Sequence, residues 1–309
     1  MNKTCLLLSE SSLLHDTGYG HPERIERYQA IQKKLSTQSY FSELTQPKIK
    51  PITDEISLAH SKEHVKKLFG IQNKSGSLDP DTRYSPSTFQ AIKDSIGGAI
   101  SIADEILNNR AKNGLLVARP PGHHAEEDTA MGFCFANTVS ILARYLQTKG
   151  IEKIFIFDFD VHHGNGTEQI FYEDNNVFFS SIHQYPFYPG TGSEKDTGAG
   201  KGLGYTRNIP LQRGSGKSEY LSSIEKILIP EIDKFKPEFI LISAGFDAHR
   251  NDPLGGMELT SNDYEKITQI VQRKADEICG GKIISVLEGG YDLEALSESV
   301  EAHLATLVG

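Results

Sequence analysis

Cysteine is scarce. The 309-residue chain has three, Cys5, Cys134 and Cys279, an odd number with no CxxC pair. That argues against a disulfide framework and against a zinc site built from thiolates. Positive charge is also in deficit, with 32 Lys+Arg against 41 Asp+Glu, a formal charge of −9 and a pI near 5.7. A broad basic face for gripping phosphates is therefore not expected, and neither is a nucleic-acid partner; a mildly acidic surface suits cationic substrates. Long apolar runs are missing too. Nowhere do the roughly 18 apolar residues of a membrane span run together, and the N-terminal run from Cys5 to Leu8 is too short for a signal-peptide core. The expectation is a soluble, cytoplasmic protein that does not engage a membrane.

What is present is an alternation. Short, nearly continuous apolar runs at 4–8, 115–118, 154–159, 177–182, 239–243 and 283–287 read as strands covered on both faces. Between them, 86–108, 137–147, 219–233 and 262–277 carry helical periodicity. Strand and helix alternating along the whole chain predict one α/β domain over residues 1–309 with a central, mainly parallel sheet flanked by helices. The glycine-rich stretch 190–204 (GTGSEKDTGAGKGLG) is the main irregular segment. It lacks the GK[ST] ending of a P-loop and reads as a surface loop or as a loop bordering a ligand site.

Polar clusters follow four of the predicted strands. RPPGHH follows LLVA, DFDVHHGNG ends IFIF, SAGFDAHRND follows FILI, and LEGGYD follows IISV. Ligands of open parallel sheets bind beyond the carboxyl ends of strands, so the four clusters should meet on one sheet edge. Asp160 and His162 stand two apart, which at a strand end points both side chains the same way. With Asp247 from another strand end they form a mixed N/O set suited to a divalent ion such as zinc, with a coordination position left over for water and substrate. His123 and His124 have the pKa for proton transfer. Tyr291, after two glycines, is a neutral donor for a developing oxyanion. Asp158, on an Ile/Phe strand, is costly to bury without a partner, and Asn165 lies nearby. An aspartate behind one histidine favours its charged form, whereas an amide behind the other does not.

RPPGHHAEEDTAMGFCFAN, DFDVHHGNGTEQIFY, SAGFDAHRNDPLGG and LEGGYDL, in this order, resemble the zinc-dependent histone deacetylase family, which includes acetylpolyamine amidohydrolases. Asn165 in HHGNGT and the DPLGG segment are similar to class II members, and the likeness runs from HDTGYGHPER near residue 15 to the last helix. The resemblance implies an arginase-like α/β fold, a catalytic zinc on Asp160, His162 and Asp247, proton transfer by His123 and His124, and carbonyl polarisation by Tyr291. It places Asp158 behind His123 and Asn165 behind His124. It implies a substrate tunnel walled by Phe133 and Tyr188 beside Gly132, with Ser87 as an acceptor for the substrate amide hydrogen. Two monovalent-cation sites, filled by potassium, follow in the same way. The first maps to Asp158, Asp160, His162, Ser181 and Ile182, the second to Phe171, Asp174, Val177 and Tyr205. Arg27 maps to an internal channel for the released acid.

Polyamine-specific relatives carry glutamate where this chain has Leu254, so the resemblance favours acetylated lysine in proteins or peptides over acetylated polyamines. The expected reaction is removal of an acetyl or related acyl group from lysine by metal-activated water attack. A small-amide deacetylase is the second enzyme reading, and an acyl-lysine binding module of weak activity is a third, against which Tyr291 speaks. An arginase-type dimanganese hydrolase needs more carboxylate ligands than these motifs supply. Of the other histidines, His15 and His21 are expected near the site, His60, His64 and His303 on the surface or on helices, and His163 without a chemical role. The sequence leaves self-association open and gives no support for a chromatin target.

Overall fold

A computed structural model describes residues 3–309. In chain order its elements are β1 (Thr4–Leu8), α1 (Ile25–Ser36), α2 (Lys62–Gly70), the hairpin strands β2 (Gly76–Ser77) and β3 (Arg83–Tyr84), and α3 (Thr88–Leu107). β4 (Asn113–Val117), α4 (Thr138–Thr148), β5 (Ile154–Asp158), α5 (Asn165–Phe171), β6 (Val177–Gln184) and β7 (Thr206–Leu211) follow. The chain then runs through α6 (Lys217–Ser223), a π-helical turn (Ile224–Leu228), α7 (Ile229–Phe235), β8 (Phe239–Ala244), α8 (Ser261–Cys279), β9 (Ile283–Leu287) and α9 (Leu293–Val308).

Seven strands form one sheet in the order β1-β4-β9-β8-β5-β6-β7, and every neighbouring pair is parallel. Parallel pairing requires crossovers that cover both faces, which is why the central strands read as unbroken apolar runs. Alternate residues serve opposite faces. Phe155, Phe157, Ile240 and Ile242 pack with α1, α8 and α9 residues such as Tyr28, Ile31, Val271 and Leu304. Ile154, Ile156, Phe239 and Leu241 pack with α3 and α4 residues such as Ile96, Ile100, Val139 and Leu142. The result is the predicted single α/β domain with a central parallel sheet flanked by helices. No described helix is long and apolar enough to cross a membrane.

The order of the strands decides where the chemistry lies. β4, β9, β8 and β5 are consecutive neighbours, and these four strands carry the polar clusters at their carboxyl ends. Helix starts then fix the chain just beyond them. Asn137 caps α4 by accepting the Ser140 N–H at 2.9 Å, and Asp292 caps α9 by accepting the Ala295 N–H at 2.9 Å. Such caps satisfy otherwise orphaned donors at helix starts. The second of them holds the residue after Tyr291.

Candidate active site

Asp160 and His162 leave the end of β5 and Asp247 the end of β8, as the two-residue spacing requires. The Nδ1 of His162 is 3.1 Å from Asp160 Oδ1 and 3.1 Å from Asp247 Oδ2. All three residues are buried, and one ligand atom from each lies within 4.8 Å of the others. The remaining lone pairs of the carboxylates are tied to backbone: Asp160 accepts from His162 and Gly289 N–H, and Asp247 accepts from Val161 N–H. Gly289 is required here, because a Cβ on it would stand 2.1 Å from Asp247 Oδ2 and 2.6 Å from Asp160 Oδ2. Two buried carboxylates facing one imidazole are an excess of negative charge in a dry site, and one nitrogen with two oxygens fits a divalent cation.

The histidine pair sits alongside, on the loop after β4. His123 Nδ1 donates to Asp158 Oδ2 at 3.0 Å, and its Nε2 lies 3.8 Å from Asp160 Oδ2. His124 Nδ1 is 2.8 Å from Asn165 Oδ1, and the two imidazole centroids are 4.0 Å apart. Burial works against a charge on either ring. For His123 the carboxylates of Asp160 and Asp158 outweigh it and raise the pKa to about 10. For His124 burial, with His123 and His162 as neighbours, pushes the pKa well below its usual value. The aspartate and the amide behind the rings lie on the charged and the neutral one respectively.

The Tyr291 phenol is buried, and burial keeps it protonated far beyond its ordinary range despite the Arg27 guanidinium nearby. It is therefore a donor at any working pH. Its position is set from two sides. Asp252 accepts the Tyr291 N–H at 2.6 Å and the Leu254 N–H at 2.9 Å. Arg27 donates to the carbonyls of Gly290 and Glu288, each at 2.6 Å, and lies 4.9 Å from the centroid of the tyrosine ring.

A cavity of about 220 Å³ opens onto these groups. Its floor is His124, His162 and Tyr291, and Phe133, Phe187 and Tyr188 wall it. Phe187 stacks on His162 at 5.3 Å, and Tyr188 meets His124 edge-on at 5.1 Å. Gly132 has φ +55°, and a Cβ there would stand 2.6 Å from the His124 ring, so only glycine lets the wall pass this close. Leu254 and Asp81 complete the lining.

Several expectations change. Ser87 is not brought into the cavity; it sits at the N-terminus of α3, and Asp81, from the turn before β3, occupies the rim instead. His64 and His303 lie on α2 and α9, as expected, and His60 just before α2; all three are buried, at 1%, 0% and 4% exposed. His60 accepts the Asn137 N–H, His64 donates to the Phe135 carbonyl, and His303 bonds Ser285 and Thr268. Each has a polar partner, which makes its burial tolerable. The first cation set lies together, since Asp158 pairs with Ser181 in the β5–β6 register, next to Ile182. Of the second set, Phe171, Asp174 and Val177 surround the turn from α5 to β6, with Tyr205 just before β7. The Asp174 carboxylate is taken by Arg144.

His163, which had no role from sequence, is 2.8 Å from Thr191 Oγ1 and 3.2 Å from Glu168 Oε2. Asn208 donates to the same Glu168 oxygen at 2.6 Å. The glycine-rich segment is thus fastened three residues after Tyr188 and does not itself line the cavity. His163→Ala cuts the tie between exposed Thr191 and Glu168, whose carboxylate keeps only its bond from Asn208. It should cost about 1–3 kcal/mol and raise KM as the Tyr188 wall loosens; thermal unfolding and steady-state kinetics check both.

Two other residues that hold the site are not among those the sequence singled out. The Glu288 carboxylate accepts the N–H groups of Gly122 and His123 at 2.6 and 3.1 Å. Glu23, at the other end of the chain, pairs with both Arg27 and Arg119. In Glu288 the cue was its place in LEGGYD between a strand and the tyrosine. For Glu23 only the partners, remote in sequence, reveal the role.

Comparisons with known proteins give the family. The profile described as "Histone deacetylase domain" matches residues 21–307. A "Probable deacetylase" of Archaeoglobus fulgidus is 39% identical over 94% of this chain and 82% of its own length. Chloroplastic histone deacetylase 14 of Arabidopsis thaliana is 38% identical over 98% of this chain and 77% of its own length. The solved HD domain of HDA15 superposes with a TM-score of 0.95 at 35% identity, covering 100% of this chain and 90% of that one. The chain belongs to the histone deacetylase family.

Proposed function

We propose that the chain is a zinc-dependent amidohydrolase that removes acetyl or a related acyl group from the side-chain nitrogen of lysine. The observation that carries this reading is the convergence of a three-ligand set, a neutral histidine and a buried tyrosyl donor on the floor of one aromatic cavity. Asp160, His162 and Asp247 would hold the zinc, which when bound acts as a Lewis acid on the acyl carbonyl and lowers the pKa of water.

The other steps belong to side chains. Phe133 and Tyr188 enclose an extended alkyl chain and exclude water. Leu254 on the wall offers no counter-charge to a second ammonium, which favours lysine over a polyamine. Tyr291 donates to the carbonyl oxygen as negative charge develops there. His124, neutral, takes a proton from the attacking water and delivers it to the departing amine nitrogen. The C–O bond to water forms, the C–N bond breaks, and carboxylate and amine are released. His123, held charged by Asp158, keeps positive charge beside the developing oxyanion. Asp158, Asp160, His162, Ser181 and Ile182 would hold potassium beneath the site. The second set, Phe171, Asp174, Val177 and Tyr205, would hold another through its carbonyls.

The test compares acetate release from acetyl-lysine peptides and from acetylspermidine, with and without a chelator. Chelator-sensitive release from peptides is expected; release from acetylspermidine alone would overturn the substrate assignment. Tyr291→Phe should keep its metal and lose about 10²–10³ in kcat, the usual worth of one oxyanion donor. Wild-type turnover in that variant would end the oxyanion role.

A further inference from the structure

The residue behind His124 is an amide, and an amide has two different ends. Whether His124 faces an oxygen or an NH₂ decides which ring nitrogen carries its proton. As a base His124 is neutral, and a neutral imidazole has one ring proton. Only with that proton on Nδ1 is Nε2 free to accept another.

The neighbours of Asn165 fix the choice. On the side away from His124, Asn165 Nδ2 is 2.8 Å from Glu126 Oε1 and 3.4 Å from Met131 Sδ. A carboxylate and a thioether are acceptors. An amide oxygen on that side would face two acceptors, so the NH₂ must point there and Oδ1 must point to His124. Glu126 is itself anchored. Its N–H donates to the Thr129 carbonyl at 2.9 Å, and its carbonyl accepts from His60 Nδ1 at 2.9 Å.

We infer that Glu126 is a positioning residue: it locks the Asn165 amide with its oxygen toward His124, so that His124 is held as the Nδ1–H tautomer with Nε2 free. The orientation stands on hydrogen bonding alone; its consequence for turnover rests on the amidohydrolase reading above.

The experiment is ¹⁵N NMR of histidine-labelled, zinc-loaded protein, with the His124 ring signals identified by their loss in His124→Gln. The wild type should show His124 protonated at Nδ1 only. Glu126→Lys puts a donor where the acceptor was, at a partly exposed position. The amide should turn, its NH₂ should meet the ring, and the proton should move to Nε2. In parallel kcat should fall about 100-fold or more, toward the roughly 10⁴-fold that a wrong tautomer costs a serine protease. KM should stay within about threefold, since the contact is not to substrate. Asn165→Asp in the Glu126→Lys background restores an acceptor toward both neighbours and should recover the Nδ1–H signal and at least about tenfold of kcat. A His124 that stays Nδ1–H in Glu126→Lys overturns the inference, as does a tautomer that moves with kcat unchanged. If the tautomer moves but wild-type protein releases no acid from any acylated amine, the proposed function fails and the orientation by Glu126 stands.

Discussion

Asp247→Ala is expected to leave the protein folded, without bound zinc and without measurable turnover. Asp247 supplies one oxygen toward His162, at 3.1 Å, and holds the Val161 N–H with the other at 2.8 Å. The substitution therefore removes one of the three proposed ligands and unfastens the turn that carries the other two. Losing a residue that merely orients a ligand costs a metal site roughly 10–100-fold in affinity, so losing a ligand together with that support should cost more. The fold does not rest on this carboxylate. β8 pairs with β5 and β9 along its whole length, and the apolar layers on either side remain. Metal analysis after gel filtration, circular dichroism and acetate release measure the three parts separately. A variant with one zinc per chain and wild-type turnover would remove Asp247 from the ligand set. Two manganese ions per wild-type chain would instead point to arginase-type chemistry.

Strands were legible where burial on both faces left a run of Ile, Leu, Val and Phe. The runs at 154–159, 239–243 and 283–287 became β5, β8 and β9. β7, TRNIPL, gave no such run. It is an edge strand of the sheet and only partly buried, and it tolerates arginine, asparagine and proline. The periodicity at 219–233 hid a π-helical turn over Ile224–Leu228, which keeps apolar residues inward without an interruption a pattern would show. The convergence of the candidate residues on strand ends was readable because a polar residue directly after an apolar run has few structural reasons to be there. His64 and His303 lie on helices, as expected, but the burial of His60, His64 and His303 was not legible, for the opposite reason. A histidine inside a helix or turn carries no mark of the carbonyl or hydroxyl that will satisfy it. Glu126 went unread for the same reason, since only the fold brings it to the far side of Asn165.

Glu23→Gln is the substitution expected to cost most stability, about 3–5 kcal/mol, because it removes one partner of a buried ion cluster and leaves the others charged. Glu23, Arg27 and Arg119 are each 0% exposed. The carboxylate takes Arg119 through Nε at 2.5 Å and Nη2 at 2.7 Å, and Arg27 through Nη1 at 2.9 Å. Burial alone would raise the Glu23 carboxyl, but Arg119, His15 and Arg27 hold it well below its ordinary 4.5. A group depressed in this way stabilises fully above its unfolded value, and the contribution disappears as pH falls from 4.5 toward the folded value. The glutamine variant keeps the shape and loses that contribution, so the gap between the two proteins should narrow on acidification. At neutral pH the melting temperature should drop by roughly 6–10 °C for a chain of this size. The cluster also reaches the chemistry. Arg27 holds the carbonyls of Glu288 and Gly290 and packs on the Tyr291 ring, so a loosened Arg27 lets Tyr291, the proposed oxyanion donor, drift. At temperatures where the variant is fully folded, kcat should fall while KM for an acyl-lysine peptide changes little. A variant as stable as wild type across pH would show that the two guanidinium groups find other partners without Glu23.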